Sequence, residues 1–122
     1  FKGDRQHPDI DFNAETGVLG ISGRSIPEDT FSFYQPVVDW VESYAKSPAK
    51  ETRVKVYLEY FNTSSSKFIL EIFKKLRPIT RFSTKSIVVE WYYDEDDEEM
   101  METGEDYQDV SGLPFEIIEM ED

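Results

Sequence analysis

The feature that most constrains the fold is a change in apolar spacing, from every second residue to every third or fourth. Residues 53–61 alternate β-branched and aromatic side chains with charged ones, which is typical of a strand. Directly afterwards, residues 64–76 place Ile69, Ile72 and Leu76 on one face of a predicted helix. A strand followed at once by a helix favours an α/β domain, in which helices pack on a sheet.

The same two patterns alternate along the rest of the chain. Helical spacing recurs over residues 34–45, and a turn at residues 14–17 separates the first two strand-like runs into an opening β-hairpin. The other segments with strand-like spacing are residues 9–13, 18–22, 86–93 and 114–119. The order β, β, α, β, α, β, α, β predicts one α/β domain, with a mixed sheet of about five strands whose later strands are parallel.

The two ends of this domain depart from the alternation. Residues 1–8 show no periodicity and are predicted to form an extended lead-in, whereas residues 94–109 are predicted to form an acidic helical segment. Residues 1–93 carry 13 Lys and Arg against 12 Asp and Glu, while residues 94–122 carry 14 acidic residues and no Lys or Arg. The acidic end should repel nucleic acid and anionic membranes and attract a basic partner protein.

The acidic run has three interpretations. It is either a solvated helix, or a candidate partner face formed by Asp94, Glu95, Asp96 and Asp97, or a cation site. The last is the weakest, because the run lacks the alternating ligands and central glycine of a calcium-binding loop. The basic residues between Lys67 and Lys85 are expected to pair with this segment or with an outside anion.

Composition also excludes several kinds of chemistry. The chain contains no cysteine, which removes disulfides, thiol nucleophiles and thiolate metal sites. His7 is the single histidine, so neither a catalytic triad nor a zinc site has the residues it needs. We therefore predict no metal and no cofactor.

No apolar run approaches the roughly 20 residues of a membrane span. We expect a cytoplasmic protein in which Phe1 is not the native start, which leaves room for an upstream peptide that has been trimmed.

The hydroxyl-rich residues 63–66, at the junction of strand and helix, are the most informative segment. Asn62 and these hydroxyls can cap a helix by accepting hydrogen bonds from its free amides. Four consecutive hydroxyls exceed what a cap needs, and a helix start also tolerates an added phosphate because its free amides and dipole favour negative charge. Lys67 follows one turn after Thr63 and is expected to lie near it. The residues alone leave open whether the segment is a cap or a phosphorylation site, and which hydroxyl accepts.

Three stretches of the sequence resemble the SiaC-type regulatory phosphoproteins of bacteria, and the resemblance covers nearly the whole chain. They are residues 60–67, residues 26–29, and the aromatic residues 91–93 followed by acids, with Pro-Phe-Glu-Ile at 114–117 in support. The family is similar in fold and logic to STAS-type anti-sigma factor antagonists. The resemblance implies a STAS-like domain without enzymatic activity.

The resemblance also implies a partner switch. Thr63 matches the family's phosphoacceptor, which a partner kinase phosphorylates and a metal-dependent Ser/Thr phosphatase dephosphorylates. The two forms bind different partners, and in some members the unphosphorylated form activates a diguanylate cyclase. Asn62, Ser64, Ser65 and Lys67 are then the surroundings of the phosphosite that contact partners. Two other hypotheses are a non-switching acidic adaptor and a small carboxylate-dependent enzyme, for which the sequence offers no paired acid and base.

Overall fold

A computed structural model describes residues 1–121 and shows one sheet with three α-helices. A short 3-10 helix, Arg77–Arg81, follows the second α-helix. In chain order the main elements are β1 Asp9–Asn13, β2 Val18–Ser25, α1 Thr30–Lys46, β3 Glu51–Phe61, α2 Thr63–Leu76, β4 Ser86–Asp94, α3 Glu98–Ser111 and β5 Phe115–Met120. The predicted order of strands and helices is confirmed.

The five strands lie in the sheet in the order in which they occur along the chain. β1 and β2 form the predicted antiparallel hairpin, and the pairs β2–β3, β3–β4 and β4–β5 are all parallel. Each parallel connection contains one helix, and right-handed crossovers between neighbouring strands place successive helices on the same face of the sheet. The predicted mixed sheet of an α/β domain is therefore confirmed.

The burial of β3 shows which face the helices cover. Its side chains alternate, so that Val54, Val56 and Leu58 are buried while Arg53 and Lys55 are exposed on the opposite face. The covered face also buries large aromatic side chains from other elements, and full burial of such a side chain stabilises the fold by about 1.5–3 kcal/mol. The largest fully buried side chains are Trp91, Tyr34 and Phe73.

The acidic segment becomes helical later than the sequence predicts. Asp94 still belongs to β4, where it pairs with Met120 of β5. The helix begins only at Glu98, because the Asp97 side chain accepts a hydrogen bond from the Met100 amide (3.1 Å) and so caps it. Residues 94–97 thus form the end of a strand, a turn and a cap.

The lead-in is also not extended. The amino group of Phe1 donates to the carbonyl of Ile10 (2.7 Å), and the Ile10 amide donates back to the Phe1 carbonyl (2.9 Å). Between them the Asp4 side chain accepts from the amides of Gln6 and His7 and closes a turn. Residues 1–8 therefore fold back onto β1.

Across residues 1–121, no helix has the length and apolar character that a membrane span requires.

The middle of α3 lies unusually close to β4. A Cβ atom placed on Gly104 would come within 2.4 Å of Cδ1 of the buried Trp91 ring. The Trp91 Nε1 donates to the Met100 carbonyl (2.9 Å), so the ring is also bonded to the first turn of the same helix. Glycine at this position is what allows α3 to approach the sheet.

We expect Gly104→Ala to lower the free energy of unfolding by about 1–3 kcal/mol, because overpacking against Trp91 outweighs alanine's better helix propensity. Urea denaturation followed by tryptophan fluorescence measures the change. Gly20→Ala is the matched control, since its Cβ would meet nothing nearer than 3.5 Å. Equal stability of the Gly104→Ala and wild-type proteins would contradict this packing.

Candidate functional site

Asn62 caps the helix that carries the hydroxyl-rich segment. Its backbone is extended, with φ −84° and ψ 172°, and its side-chain oxygen accepts from the Ser65 amide at 2.9 Å. Its carbonyl accepts from the Ser66 amide at 3.0 Å. The capping function is therefore supplied by Asn62, and none of the four hydroxyls that follow is needed for it.

Ser65 belongs to the interior of the protein. It is fully buried, and its hydroxyl donates to the Ser25 carbonyl (3.0 Å) and accepts from the Ser25 hydroxyl (2.8 Å). The Ser25 hydroxyl in turn bonds to the hydroxyl of Tyr34 in α1. Burial raises the pKa of Tyr34, so this hydroxyl stays neutral over the physiological range. Ser65 thus connects β2, α1 and α2 and is inaccessible to a modifying enzyme.

The remaining hydroxyls divide into one that is bonded and two that are exposed. Ser66 is half-buried and donates to the Thr63 carbonyl at 2.6 Å. Thr63 and Ser64 are exposed at the first two positions of α2. Only Thr63 of these two lines the neighbouring groove. The structure therefore narrows the accessible hydroxyls to two and distinguishes them by their surroundings.

We call this groove, which has a volume of about 350 Å³, the acidic groove. It lies between the end of β3, the start of α2 and the first half of α3. Its lining residues are Glu59, Tyr60, Phe61, Asn62, Thr63, Ser66, Asp97, Glu99, Met100, Thr103 and Tyr107. Three of these are carboxylates, and no Lys, Arg or His stands among the described residues that line it.

Tyr107 fixes the floor of the acidic groove. Its hydroxyl donates to the Ser66 carbonyl (2.9 Å), which joins α3 to the first turn of α2. Burial raises the pKa of Tyr107, so its hydroxyl stays protonated and donates this bond over the physiological pH range. The start of α3 is held separately, by the Asp97 cap and by the buried side chain of Met100.

The structure does not bring all the predicted site residues together. Lys67 is exposed and lines a different cavity, between α1 and α2, with Phe68 and Glu71 among its neighbours. Thr63 and Lys67 are one helical turn apart on α2 but line different cavities, so the proximity of the two side chains stays a prediction.

The predicted partner face is also divided. Asp97 lines the acidic groove, whereas Asp94 accepts a hydrogen bond from the hydroxyl of Tyr57 on the sheet. Glu95 and Asp96 are exposed in the turn between them. Asp94, Glu95 and Asp96 thus present an exposed edge, and the half-buried Asp97 is the only one of the four that lines the groove.

The basic cluster does not pair with the acidic segment. Within residues 1–121 its one ion pair joins Lys75 to Glu42 of α1, at 2.7 Å. Lys74 and Arg81 line a cavity beside the carboxyl ends of α1 and α2, at the far end of α2 from Thr63. A 14-residue helix spans about 20 Å, so Lys74 and Arg81 lie well apart from the acidic groove.

Sequence reasoning missed most of the groove's lining. On α3, Glu99, Thr103 and Tyr107 recur at intervals of four residues, and this helical spacing could have shown that they share one face. Tyr60, which is 52% exposed beside Thr63, is the largest side chain of the groove that solvent reaches.

In the described chain, no group of three or more His, Asp or Glu side chains is arranged to hold a metal ion.

A single α/β domain with an accessible hydroxyl on the first residue of a capped helix has the arrangement expected of a small regulatory phosphoprotein. Comparison with family models identifies the particular family. The model described as "SiaC family regulatory phosphoprotein" matches residues 1–120, and the chain belongs to that family. An uncharacterised protein of Pseudomonas aeruginosa strain UCBPP-PA14 is 28% identical over 115 residues, which cover 94% of this chain and 90% of that protein.

Solved structures of SiaC from Pseudomonas aeruginosa share the fold. A crystal structure of the diguanylate cyclase SiaD in complex with its activator SiaC matches with a TM-score of 0.89 and 27% identity, covering 98% of each chain. A structure of SiaC from the same organism matches with a TM-score of 0.85 and 26% identity, covering 98% of this chain and 96% of that one. The predicted family and fold are thus confirmed.

We expect Ser65→Ala to lower the free energy of unfolding by about 1–3 kcal/mol, because it leaves buried partners on Ser25 without their bond. Ser64→Ala makes the same chemical change one residue earlier at an exposed position and should alter stability by less than about 0.5 kcal/mol. Urea denaturation of both variants measures the difference. Equal losses would show that Ser65 does not carry the buried network.

Proposed function

We propose that this chain is a partner switch controlled by reversible phosphorylation of Thr63. A protein kinase adds the phosphate, a metal-dependent Ser/Thr phosphatase removes it, and a downstream signalling protein binds in one of the two states. The observation that carries the proposal is the placement of Thr63. Among the four adjacent hydroxyls it is exposed and lines the acidic groove, while Asn62 and Ser65 hold the helix start.

A phosphate on Thr63 is compatible with the fold. Thr63 is the first residue of α2, where the helix dipole favours negative charge, and its side chain is not part of the buried network. A phosphate adds about −1.5 to −2 charges at this exposed position and so changes the surface without opening the core. Phosphorylation of Ser65 would instead require the bonds to Ser25 to break.

The surface whose binding to partners depends on the phosphate surrounds Thr63. Ser64 and Lys67 are exposed on α2, one residue and one turn after Thr63, and Asp97 lies across the acidic groove. We assign contacts with partners to these three side chains. Asn62 and Ser65 support them by fixing the geometry of the helix start rather than by touching a partner.

The downstream partner we propose is a diguanylate cyclase. The support is the likeness, over 98% of both chains, to SiaC in its complex with the diguanylate cyclase SiaD, which SiaC activates. In this proposal the chain itself catalyses nothing and acts in the cytoplasm by binding. The exposed edge from Asp94 to Asp96, together with the half-buried Asp97, extends the binding surface and favours a partner with basic side chains.

We expect tandem mass spectrometry of the protein purified from its own bacterium, with phosphatase inhibitors present, to place one phosphate on Thr63. Thr63→Ala should abolish the modification and Ser64→Ala should retain it, because only Thr63 of the two faces the acidic groove. Phosphate on Ser64 in the wild-type protein, or modification persisting in Thr63→Ala, would contradict the assignment. Removal of the phosphate by the phosphatase should stop when EDTA binds its metal.

A further inference from the structure

We infer that phosphorylation of Thr63 also changes the shape of this chain, by loosening the first turn of α3. The inference rests on the proposed phosphorylation of Thr63 and adds how that modification is transmitted. Thr63 and the start of α3 face each other across the acidic groove, which Glu59, Asp97 and Glu99 line. A phosphate on Thr63 would therefore enter a groove that already holds three carboxylates.

None of the described side chains that line the groove carries a positive charge that would neutralise the phosphate. Phosphate sites in proteins are usually formed by Arg or Lys side chains, and none stands among the described residues that line this groove. Lys67 stands one turn after Thr63 on α2, but it lines the cavity beside α1 rather than this groove. The first amides and the dipole of α2 favour the phosphate but leave the opposing carboxylates unpaired. The net effect of the phosphate on the carboxylates opposite Thr63 is repulsion.

On the side of the groove opposite Thr63, the start of α3 is the part that can move. Glu59 lies in β3, the central strand of the sheet, between residues that pair with β2. Asp97 and Glu99 instead follow an exposed turn, and the cap holds the amides of this turn, while the buried Met100 side chain and the bond from Trp91 Nε1 to the Met100 carbonyl hold it to the sheet. The Asp97 carboxylate accepts from the Met100 amide (3.1 Å), and its carbonyl accepts from the Met101 amide (3.3 Å). Displacing Asp97 breaks both bonds.

The change should stop within the first turns of the helix. Further along, Gly104 packs on Trp91 and Tyr107 is bonded to the Ser66 carbonyl, and both contacts lie in the buried part of α3. Phosphorylation would thus shift the exposed acidic edge while leaving the domain folded. A partner would then distinguish the two states by the position of that edge as well as by the charge on Thr63.

Hydrogen exchange tests this inference on protein carrying phosphothreonine inserted at position 63 during translation. This route makes the result independent of whether a cellular kinase uses Thr63. We expect the Met100 and Met101 amides to exchange several-fold faster in the phosphorylated protein, because repulsion of Asp97 weakens the two bonds that this residue accepts from them. Amides at the carboxyl end of α3 should not change.

Two charge variants of the phosphorylated protein identify the cause. Glu99→Gln removes a carboxylate that lines the groove and should reduce the acceleration, whereas Glu102→Gln removes an exposed carboxylate of the same helix outside the groove and should not. Unchanged exchange at Met100 and Met101, with full phosphothreonine confirmed by mass, would overturn the inference. Equal effects of the two variants would overturn it as well, because the repulsion would then not be local to the groove.

Discussion

The structure of the site depends on the buried hydroxyl network of Ser25, Tyr34 and Ser65. These three side chains join the end of β2, the first half of α1 and the first turn of α2 in the interior. Because buried hydroxyls without partners cost free energy, the network holds the three elements in one arrangement. The start of α2 is consequently rigid where it would otherwise fray, and the exposed residues on it have fixed positions.

That rigidity allows adjacent, chemically similar residues to have different functions. Asn62 caps the helix, Ser65 anchors it, and Thr63 is left exposed at the edge of the acidic groove. Tyr107 then sets the distance to α3 by donating to the first turn of α2. A modification of Thr63 is therefore placed against a defined wall of carboxylates, on a helix start that does not need the threonine for its own stability.

The sequence could predict the fold because apolar residues recur at every second position in strands and at every third or fourth position in helices. Both patterns are visible within a short stretch of the chain. It could not place the start of α3, since whether Asp94 continues β4 depends on pairing with Met120, a contact far along the chain. Capping and phosphate binding use the same chemistry, so the residues alone could not choose among hydroxyls. Only tertiary packing buries Ser65, and the resemblance to the SiaC family is what indicated Thr63.

The central claim is that phosphate on Thr63 decides whether the chain binds its downstream partner. Isothermal titration of the diguanylate cyclase of the same bacterium with unphosphorylated protein, and with protein carrying phosphothreonine at position 63, tests it most directly. The account predicts dissociation constants that differ at least tenfold between the two forms, which corresponds to about 1.4 kcal/mol. Equal affinities would contradict the partner switch and would favour a non-switching adaptor.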